Sequence, residues 1–531
     1  MKRDLDALTR TTFDVLVIGG GVVGACTARE AAARGLSVAL IERDDFAAGA
    51  SWNSLKTVHG GLRSLQHLDF VRMREYIGDR TAWLRTAPHL VHVLPVVVPT
   101  HGSGIYGRAA LRTALAINDL IAADRNRGVA ADRRLPAGRL LSRSECIELV
   151  PELDGARITG GACFCDGQMY AAERLVLEVV RGATDAGAVA ANYVEAVGPL
   201  RRVGGELVLS VTDTIVNQLL DIRARTVVNA TGSASSALAR QLAGDTATPS
   251  QSYSVALNIM VPGKGHRVSF AASERSTGRG GRGASSRNLF VVPWRDRTIV
   301  GTAHFPYDAD PSRFTIDERH VERFVDEVRR VLPSWELTRD RVVMVHGGLL
   351  PSEPATGGDD VRLLRRQPIT DHGEQRLPGL VSVSSVRFTT ARRLAQRIID
   401  LVLRKLGRGP VPSPTATLPL PGAPIGQTVS ELLEEARRKY AGVVCATVRE
   451  HLVRSYGTRY ERILAYRMTL PEWDQPVVPS APVILAQMAH AIEDEMAVRP
   501  DDLLYRRTEL GPRGLITESA RRVAADLLGK S

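Results

Sequence analysis

The 531-residue sequence predicts an α/β protein that also has an antiparallel-sheet domain and an all-helical C-terminal domain. Three patterns lead to this prediction. The first is a strand–turn–helix–strand unit in residues 14–43. The second is a set of strand-like runs in residues 251–305, separated by Gly, Pro and charged residues. The third is a helical pattern of apolar residues from residue 423 to the end.

The N-terminal unit combines an apolar strand, a glycine turn, a helix and a second strand. In its G-x-G-x-x-G turn, Gly19 permits a tight bend, Gly21 lets the backbone approach a pyrophosphate, and Gly24 lets the helix pack closely on the strand. The helix N-terminus favours the phosphates. Glu42 ends the second strand 18 residues after Gly24, where it accepts ribose hydroxyls. We therefore predict a bound dinucleotide, and a tight turn without ligand is the alternative.

Composition and charge limit the classes of function that the protein can have. The chain is too long for one core, and its 44% hydrophobic and 24% charged residues are typical of globular proteins. The formal net charge of +11 suits anionic ligands or an anionic membrane surface. There is no nucleic-acid motif, and the basic segment 276–283 is interpreted as a solvated insertion, so we predict no nucleic-acid partner.

The cysteine spacing and the apolar runs bear on location. Five irregularly spaced cysteines indicate neither a disulfide framework nor a metal site, so we expect reduced thiols and a cytoplasmic protein. No segment approaches the ~18 apolar residues of a membrane-spanning helix. Residues 105–125 are basic and amphipathic. We interpret them as a helix on the protein's own core, with a helix at a membrane interface as the alternative.

The remaining elements follow in order along the chain. A helix is predicted for residues 171–186, with a stop at Gly187. The other predicted elements are strands in 192–228, a buried strand running into a glycine turn in 225–232, an amphipathic helix in 317–332, and a strand, turn and helix in 379–405.

The sequence resembles the FAD-dependent glycerol-3-phosphate dehydrogenase/oxidase family, within the glutathione-reductase-like flavoproteins, over nearly its whole length. Residues 51–63 are similar to the family's Ser-rich loop, lysine and His-Gly-Gly-Leu-Arg-Tyr-Leu segment. Residues 227–232 resemble the second FAD-contacting strand, and residues 292–302 resemble the substrate-sheet signature. Residues 454–457 and 501–508 resemble the family's C-terminal helical domain.

The resemblance implies FAD as the cofactor and a glutathione-reductase-like FAD-binding Rossmann domain, with an antiparallel sheet over the flavin. The predicted parts are a discontinuous FAD-binding domain (12–85, 165–235 and 345–408), a substrate or cap domain (86–164 and 236–344), a Pro-rich linker (409–422) and a C-terminal helical domain (423–531).

The resemblance also implies roles for individual residues. His59 is the candidate base that takes a hydroxyl proton while hydride passes to flavin N5. The alternative is that His59 only shapes or hydrogen-bonds the flavin. Arg63 and Arg387 are the other catalytic candidates, because arginine suits a phosphate through forked hydrogen bonds. The predicted cofactor contacts besides Gly19, Gly21 and Gly24 are Glu42, Arg43, Ser51, Ser54, Lys56, Gly60, Thr231, Gly232 and Thr389.

Four substrate-side positions depart from the family pattern. The family tyrosine after the arginine is Ser64, and the arginine of Gly-Val-Arg-Pro is Leu350. The lysine of Gly-Gly-Lys-Leu-Thr-Thr is Arg387, and the aspartate of Gly-Thr-Thr-Asp is His304. Losing a cation opposite a buried phosphate costs several kcal/mol. We therefore expect weakened or absent activity on glycerol 3-phosphate itself.

The function predicted is FAD-dependent oxidation of a secondary alcohol, in glycerol 3-phosphate or a related anionic polyol, with a quinone or dioxygen as acceptor. An amine or amino-acid oxidase and a flavin-binding protein without turnover are the alternatives. Arg365 or Arg366 is a candidate to replace the missing cation. A homodimer and a peripheral contact with the inner face of a membrane are left open.

Overall fold

The computed structural model describes residues 1–102, 104, 106–153, 157–244, 251–273, 288–354, 361–375, 377–385 and 387–529. The predicted insertion at 276–283 and residue Val386 lie outside these ranges.

The strands are β1 (Thr12–Ile18), β2 (Val38–Ile41), β3 (Thr57–Val58), β4 (Val91–Thr100), β5 (Arg139–Leu141), β6 (Gly160–Met169), β7 (Val189–Ala191), β8 (Val194–Ala196), β9 (Arg201–Val203), β10 (Glu206–Asp213), β11 (Gln218–Asn229), β12 (Ser252–Pro262), β13 (Ser269–Ala272), β14 (Leu289–Trp294), β15 (Arg297–Tyr307), β16 (Met344–Ser352), β17 (Ile369–Asp371) and β18 (Leu380–Val383). The α-helices are α1 (Leu5–Arg10), α2 (Val22–Ala33), α3 (Phe70–Thr86), α4 (Arg108–Ile121), α5 (Arg143–Leu149), α6 (Ala172–Asp185), α7 (Ser235–Ala243), α8 (Glu318–Val331), α9 (Ala391–Lys405), α10 (Val429–Lys439), α11 (Ala446–Tyr456), α12 (Tyr460–Leu464), α13 (Leu485–Asp494) and α14 (Glu518–Gly529). A 3₁₀ helix spans Leu62–His67, and a π-helix spans Asp502–Arg507.

The first sheet has the strand order β17–β18–β11–β1–β2–β7, and β8, β9 and β10 extend it beside β11. Strand β1 is parallel to both of its neighbours, with Ile18 in register with Ile41 of β2 and with Asn229 of β11. Helices α2, α6 and α9 pack together over this sheet through a shared apolar core. The turns that follow β1, β2 and β11 therefore meet at one edge of the sheet, where ligands bind in open parallel sheets.

The second sheet has the order β16–β12–β15–β14–β13–β4–β6–β3, with β5 beside β6, and is antiparallel except for the β13–β4 pair. Its apolar face packs against α8 through residues such as Val255, Leu257 and Phe324. The alternate residues of β12 face the other way. Gly348 pairs with Ala256 on that second face, and a Cβ at Gly348 would lie 3.4 Å from Ala50 Cβ. The second face therefore covers the loops of the first sheet.

The predicted helices at 171–186 and 317–332 are confirmed as α6 and α8. The sheets, however, cross the predicted domain boundaries. Strand β6 begins before residue 165, and β16 lies in the predicted FAD-binding segment 345–408, yet both pair within the second sheet. An apolar run predicts a strand but does not specify the sheet in which it pairs, so these boundaries were placed inside strands.

The Pro-rich segment 409–422 contains no helix or strand, in agreement with an extended linker. It is nevertheless attached to the first domain. The guanidinium of Arg29 donates to the Leu418 carbonyl at 2.7 Å, and the Ser413 hydroxyl donates to the Glu30 carboxylate at 3.0 Å. The linker therefore runs along α2.

The C-terminal helices dock on the first domain through buried ion pairs. Arg507 donates to both carboxylate oxygens of Asp45, at 2.6 and 2.8 Å, and neither side chain is exposed. Arg174 of α6 pairs with Glu495 in the same manner. Among the described residues no helix is both long and apolar enough to cross a membrane.

Replacing Arg507 by methionine is expected to destabilise the protein. The substitution removes a fully buried partner of Asp45 and leaves Arg506 as its nearest cation, so the free energy of unfolding should fall by about 3–5 kcal/mol. Urea denaturation of the FAD-loaded protein measures this. The matched control is Arg437→Met, which breaks an exposed pair with Glu434 and should cost less than about 1 kcal/mol. Equal midpoints for the two variants would contradict the docking role.

Candidate functional site

The turn after β1 forms a cradle that only glycine can build. Gly19 has a φ of +106°, and a Cβ at Gly24 would lie 1.8 Å from the Gly19 carbonyl oxygen. Gly21 is the N-cap of α2, and the Ser51 hydroxyl accepts the Val22 amide at 2.9 Å. The other amides of this first turn have no helical partner and point to the edge of the sheet. The cradle fits the pyrophosphate of a dinucleotide.

Glu42 follows β2 beside this cradle. Its carboxylate accepts the amides of Gly20 at 2.6 Å and Asp44 at 2.9 Å, and burial raises its pKa. A carboxylate has about four lone-pair directions, so acceptor capacity remains for ribose hydroxyls. Arg43 is exposed and lies 3.3 Å from Asp44.

The turn after β11 closes the cradle from the other side. Thr231 donates its hydroxyl to Asn229 at 2.7 Å, and Gly232 has a φ of +61°. A Cβ at Gly19 would lie 2.8 Å from the Ala230 carbonyl oxygen. The predicted residues at the ends of β1, β2 and β11 are thus brought together.

The loop at 51–56 has one side chain in an unexpected place. Lys56 is fully buried, and its amine donates to the Trp52 carbonyl at 2.6 Å and to Glu173 at 3.1 Å. Burial lowers its pKa. The sequence predicted Lys56 at the flavin entrance, whereas the structure places its amine in an ion pair with α6. Ser54 accepts the Lys56 amide at 3.2 Å and shapes the loop.

His59 comes directly after β3, and its side chain is 48% exposed. Its backbone amide donates to the hydroxyl of the predicted Thr389 at 3.1 Å. The Nδ1 atom lies 3.5 Å from Asp166 Oδ2, and the Nε2 atom lies 2.9 Å from the Thr57 hydroxyl.

Sequence reasoning missed Asp166 and its partner Arg80. Asp166 is 7% exposed, and its Oδ1 accepts the Gly60 amide at 2.6 Å and Arg80 Nη1 at 2.7 Å. Burial disfavours the charged form, but His59 and Arg80 together hold the pKa of Asp166 below its usual value. A Cβ at Gly60 would lie 2.1 Å from Arg80 Nη1, so this glycine is required by the arginine. The available signal was a carboxylate in the middle of a strand-like run.

Of the two predicted arginines, Arg387 lies near Tyr76. Arg387 donates to the carbonyls of residues 364 and 365 at 3.1 and 2.8 Å, and its guanidinium carbon lies 5.9 Å from the Tyr76 ring centroid. Burial lowers the pKa of Arg387. A Cβ at Gly61 would lie 2.8 Å from the Tyr76 side chain. Arg63 follows on the 3₁₀ helix and is exposed.

The substrate-side departures line the second sheet on the face that covers the cradle. Leu350 pairs with Ser254, and the His304 imidazole lies 3.1 Å from the Ser254 hydroxyl. These side chains share the face of Gly348, because directly paired residues point to the same side. Ser64 is buried in the 3₁₀ helix below. The sheet therefore presents an apolar side chain and an imidazole at this point.

Comparison with known proteins agrees with this geometry. A family model for FAD-dependent oxidoreductases matches residues 14–401, and one for the C-terminal domain of alpha-glycerophosphate oxidase matches residues 413–530. A glycerol-3-phosphate dehydrogenase of Synechocystis sp. is 31% identical over 96% of this chain and 90% of its own length. The aerobic glycerol-3-phosphate dehydrogenase of Bacillus subtilis is 27% identical over 96% of this chain and 89% of its own.

A solved structure shows the same fold. The glycerol-3-phosphate dehydrogenase of Bacillus halodurans, crystallised with FAD, has a TM-score of 0.72 at 22% identity and covers 99% of this chain and 95% of its own. The predicted fold class and the FAD cofactor are confirmed. The chain belongs to the FAD-dependent glycerol-3-phosphate dehydrogenase family.

Proposed function

We propose that this protein oxidises the secondary alcohol of an anionic polyol, with His59 as the base. The observation that carries the proposal is the position of His59. Its imidazole is half-exposed at the start of the segment that also holds Arg63, and its backbone is hydrogen-bonded to Thr389. A base within reach of a substrate hydroxyl and a nearby cation are what alcohol oxidation of an anion requires.

The residues that would hold FAD are those of the cradle. The amides at the start of α2 and the Ser51 hydroxyl suit the pyrophosphate, and Glu42 suits the ribose. When bound, FAD accepts the hydride equivalent from the carbinol carbon.

The protein's own step is the removal of the hydroxyl proton. The Nε2 atom of His59 contacts the Thr57 hydroxyl, and a substrate hydroxyl that replaces this hydroxyl as the partner of Nε2 places its proton within hydrogen-bond reach. The proton moves from the hydroxyl oxygen to Nε2, and the oxygen lone pair becomes available for the carbonyl bond.

The positively charged side chains favour binding of an anion on the side of the site away from the second sheet. Arg63, Arg365 and Arg366 are exposed, and residue 365 lies directly against the Arg387 guanidinium. The covering sheet instead presents Leu350. We propose that the substrate anion binds on the arginine side, and that glycerol 3-phosphate is a weak substrate because the cation above it is missing.

We further propose that the protein binds to the inner face of an anionic membrane. A quinone in that membrane is then the electron acceptor, and dioxygen is the alternative acceptor. Four large apolar side chains are exposed where α3 begins and α4 ends, namely Leu68, Phe70, Val71 and Leu120, at 72%, 45%, 77% and 78%. The two helices are joined there by Arg74, which donates to the Ile121 carbonyl at 3.2 Å. Leu115 of α4 is buried, so this helix also packs on the protein's own core. Exposed apolar side chains beside cations suit an anionic interface.

Replacing His59 by glutamine is expected to lower kcat by about 10²–10⁴ without loss of FAD, because only the base is removed. Anaerobic flavin bleaching with a panel of anionic polyols measures the effect. The matched control is His67→Gln, an exposed imidazole at the end of the 3₁₀ helix Leu62–His67. Unchanged bleaching in His59→Gln, or a wild-type flavin that no member of the panel reduces, contradicts the proposal.

Replacing Leu350 by arginine is expected to raise kcat/KM for glycerol 3-phosphate by about 10- to 100-fold. A charge-assisted hydrogen bond to the phosphate contributes about 1.5–3 kcal/mol. Steady-state kinetics measure this, and Leu350→Gln, which has a polar but uncharged side chain, is the control. If wild-type protein already turns over glycerol 3-phosphate rapidly and the arginine adds nothing, the altered-substrate proposal is wrong.

Combining Val71→Glu and Leu120→Glu is expected to weaken binding to vesicles of phosphatidylcholine and phosphatidylglycerol by about tenfold or more, since each apolar side chain contributes on the order of 1 kcal/mol at an interface. Co-sedimentation measures the change. Met468→Glu, 79% exposed on the C-terminal region, serves as the control. Equal sedimentation of all three proteins would falsify the membrane proposal.

A further inference from the structure

We propose that Asp166 is a positioning residue for His59, and that it selects the imidazole tautomer able to accept the substrate's proton. The inference rests on the proposed role of His59 as base. The inference adds Asp166 of β6 to the site, together with the buried Arg80 that pairs with this carboxylate. The group is an Arg80–Asp166–His59 chain that joins α3, β6 and the segment after β3.

The geometry gives the two oxygens of Asp166 separate tasks. Oδ1 is occupied, because it accepts the Gly60 amide at 2.6 Å and Arg80 Nη1 at 2.7 Å. Oδ2 is left to face His59 Nδ1 at 3.5 Å. An anionic oxygen accepts and does not donate, so the proton of the neutral imidazole resides on Nδ1. The lone pair is then on Nε2.

The opposite side of the ring agrees with this assignment. The Thr57 hydroxyl lies 2.9 Å from Nε2 and can donate to that lone pair. The backbone amide of His59 is held by Thr389, which limits movement of the ring's attachment point. The Asp166 carboxylate therefore selects the tautomer, and the Thr57 hydroxyl, which can donate or accept, is compatible with it.

Asp166 remains an anion in this setting. Burial opposes its charge, but His59 and Arg80 lower its pKa overall. The other titratable group beside it is the Cys165 thiol, whose pKa burial, Cys163 and Asp166 raise to about 12. This thiol is neutral at physiological pH. Arg80 thus supplies the positive charge that balances the Asp166 anion.

During the reaction the carboxylate acts only through His59. The proton leaves the substrate oxygen for Nε2, the Nδ1–H stays in place, and the resulting imidazolium faces the Asp166 anion. The carboxylate stabilises that charge and does not itself take a proton.

The test is Asp166→Asn. The asparagine oxygen can keep the Gly60 and Arg80 contacts, while its NH₂ group donates to Nδ1 and moves the ring proton to Nε2. With retained FAD and thermal stability, kcat should fall by about a hundredfold or more, with a smaller change in KM. The acidic limb of the kcat/KM profile should move to lower pH, because the anion no longer stabilises the imidazolium.

A second variant, Arg80→Gln, alters the same Arg80–Asp166–His59 group but should shift the acidic limb of the kcat/KM profile in the opposite direction. Removing the cation leaves the Asp166 charge less balanced, so the acidic limb should move to higher pH. A purely structural role of the Arg80–Asp166 pair predicts no opposite shifts. Unchanged limbs in both variants overturn the inference.

A readout without turnover separates this inference from the proposed base. Ring-nitrogen NMR of histidine-labelled protein, with the His59 signals identified by comparison with His59→Gln, distinguishes the two tautomers. We expect an Nδ1–H ring in the wild type and an Nε2–H ring in Asp166→Asn. The same tautomer in both overturns the positioning role even where His59→Gln is inactive. A fully active His59→Gln overturns the proposed base instead.

Discussion

The close approach of α2 to the end of β1 is the constraint on which the site depends. Gly24 lies so near the Gly19 carbonyl that it tolerates no side chain, and the Ala230 carbonyl excludes one at Gly19. This contact fixes the first turn of α2 at the edge of the sheet where β2 and β11 also end. A helix N-terminus, a carboxylate and a second glycine turn are thereby assembled at one edge of the sheet, and each suits a different part of one dinucleotide.

The reactive segment is built differently, from the second sheet. Residues 57–58 pair with β6, and this pairing carries Asp166 to the imidazole that follows. The helix α3 supplies Arg80 from the other side. Rigid backbone on two elements therefore holds the half-exposed side chain of His59. The glycine after His59 is explained by the same packing, because Arg80 occupies the space that a side chain would need.

Much of this architecture is readable from the sequence, and the reasons for the exceptions are physical. Glycine spacing and an acid at a strand end act locally, so the sequence alone predicts the tight turn at Gly19 and Gly24 and the acid Glu42 beside it. The direction of a side chain on a loop depends on distant partners. Lys56 points inward because its amine pairs with the carboxylate of Glu173 on α6. Asp166 meets His59 only through sheet pairing between segments far apart in the chain, and Arg80 reaches Asp166 from helix α3. Because a local pattern does not specify the sheet in which a strand pairs, the predicted domain boundaries fall within β6 and β16.

Helix α2 connects the FAD-binding end of the first sheet with the segment that leads to the C-terminal helices. The first turn of α2 faces the cradle, whereas Arg29 and Glu30, toward its other end, hold the segment 409–422. A ligand that orders the beginning of α2 therefore also stabilises the attachment of everything that follows residue 409. Apoprotein and holoprotein consequently differ in interdomain cohesion, and proteolytic susceptibility near the linker becomes a reporter of cofactor occupancy.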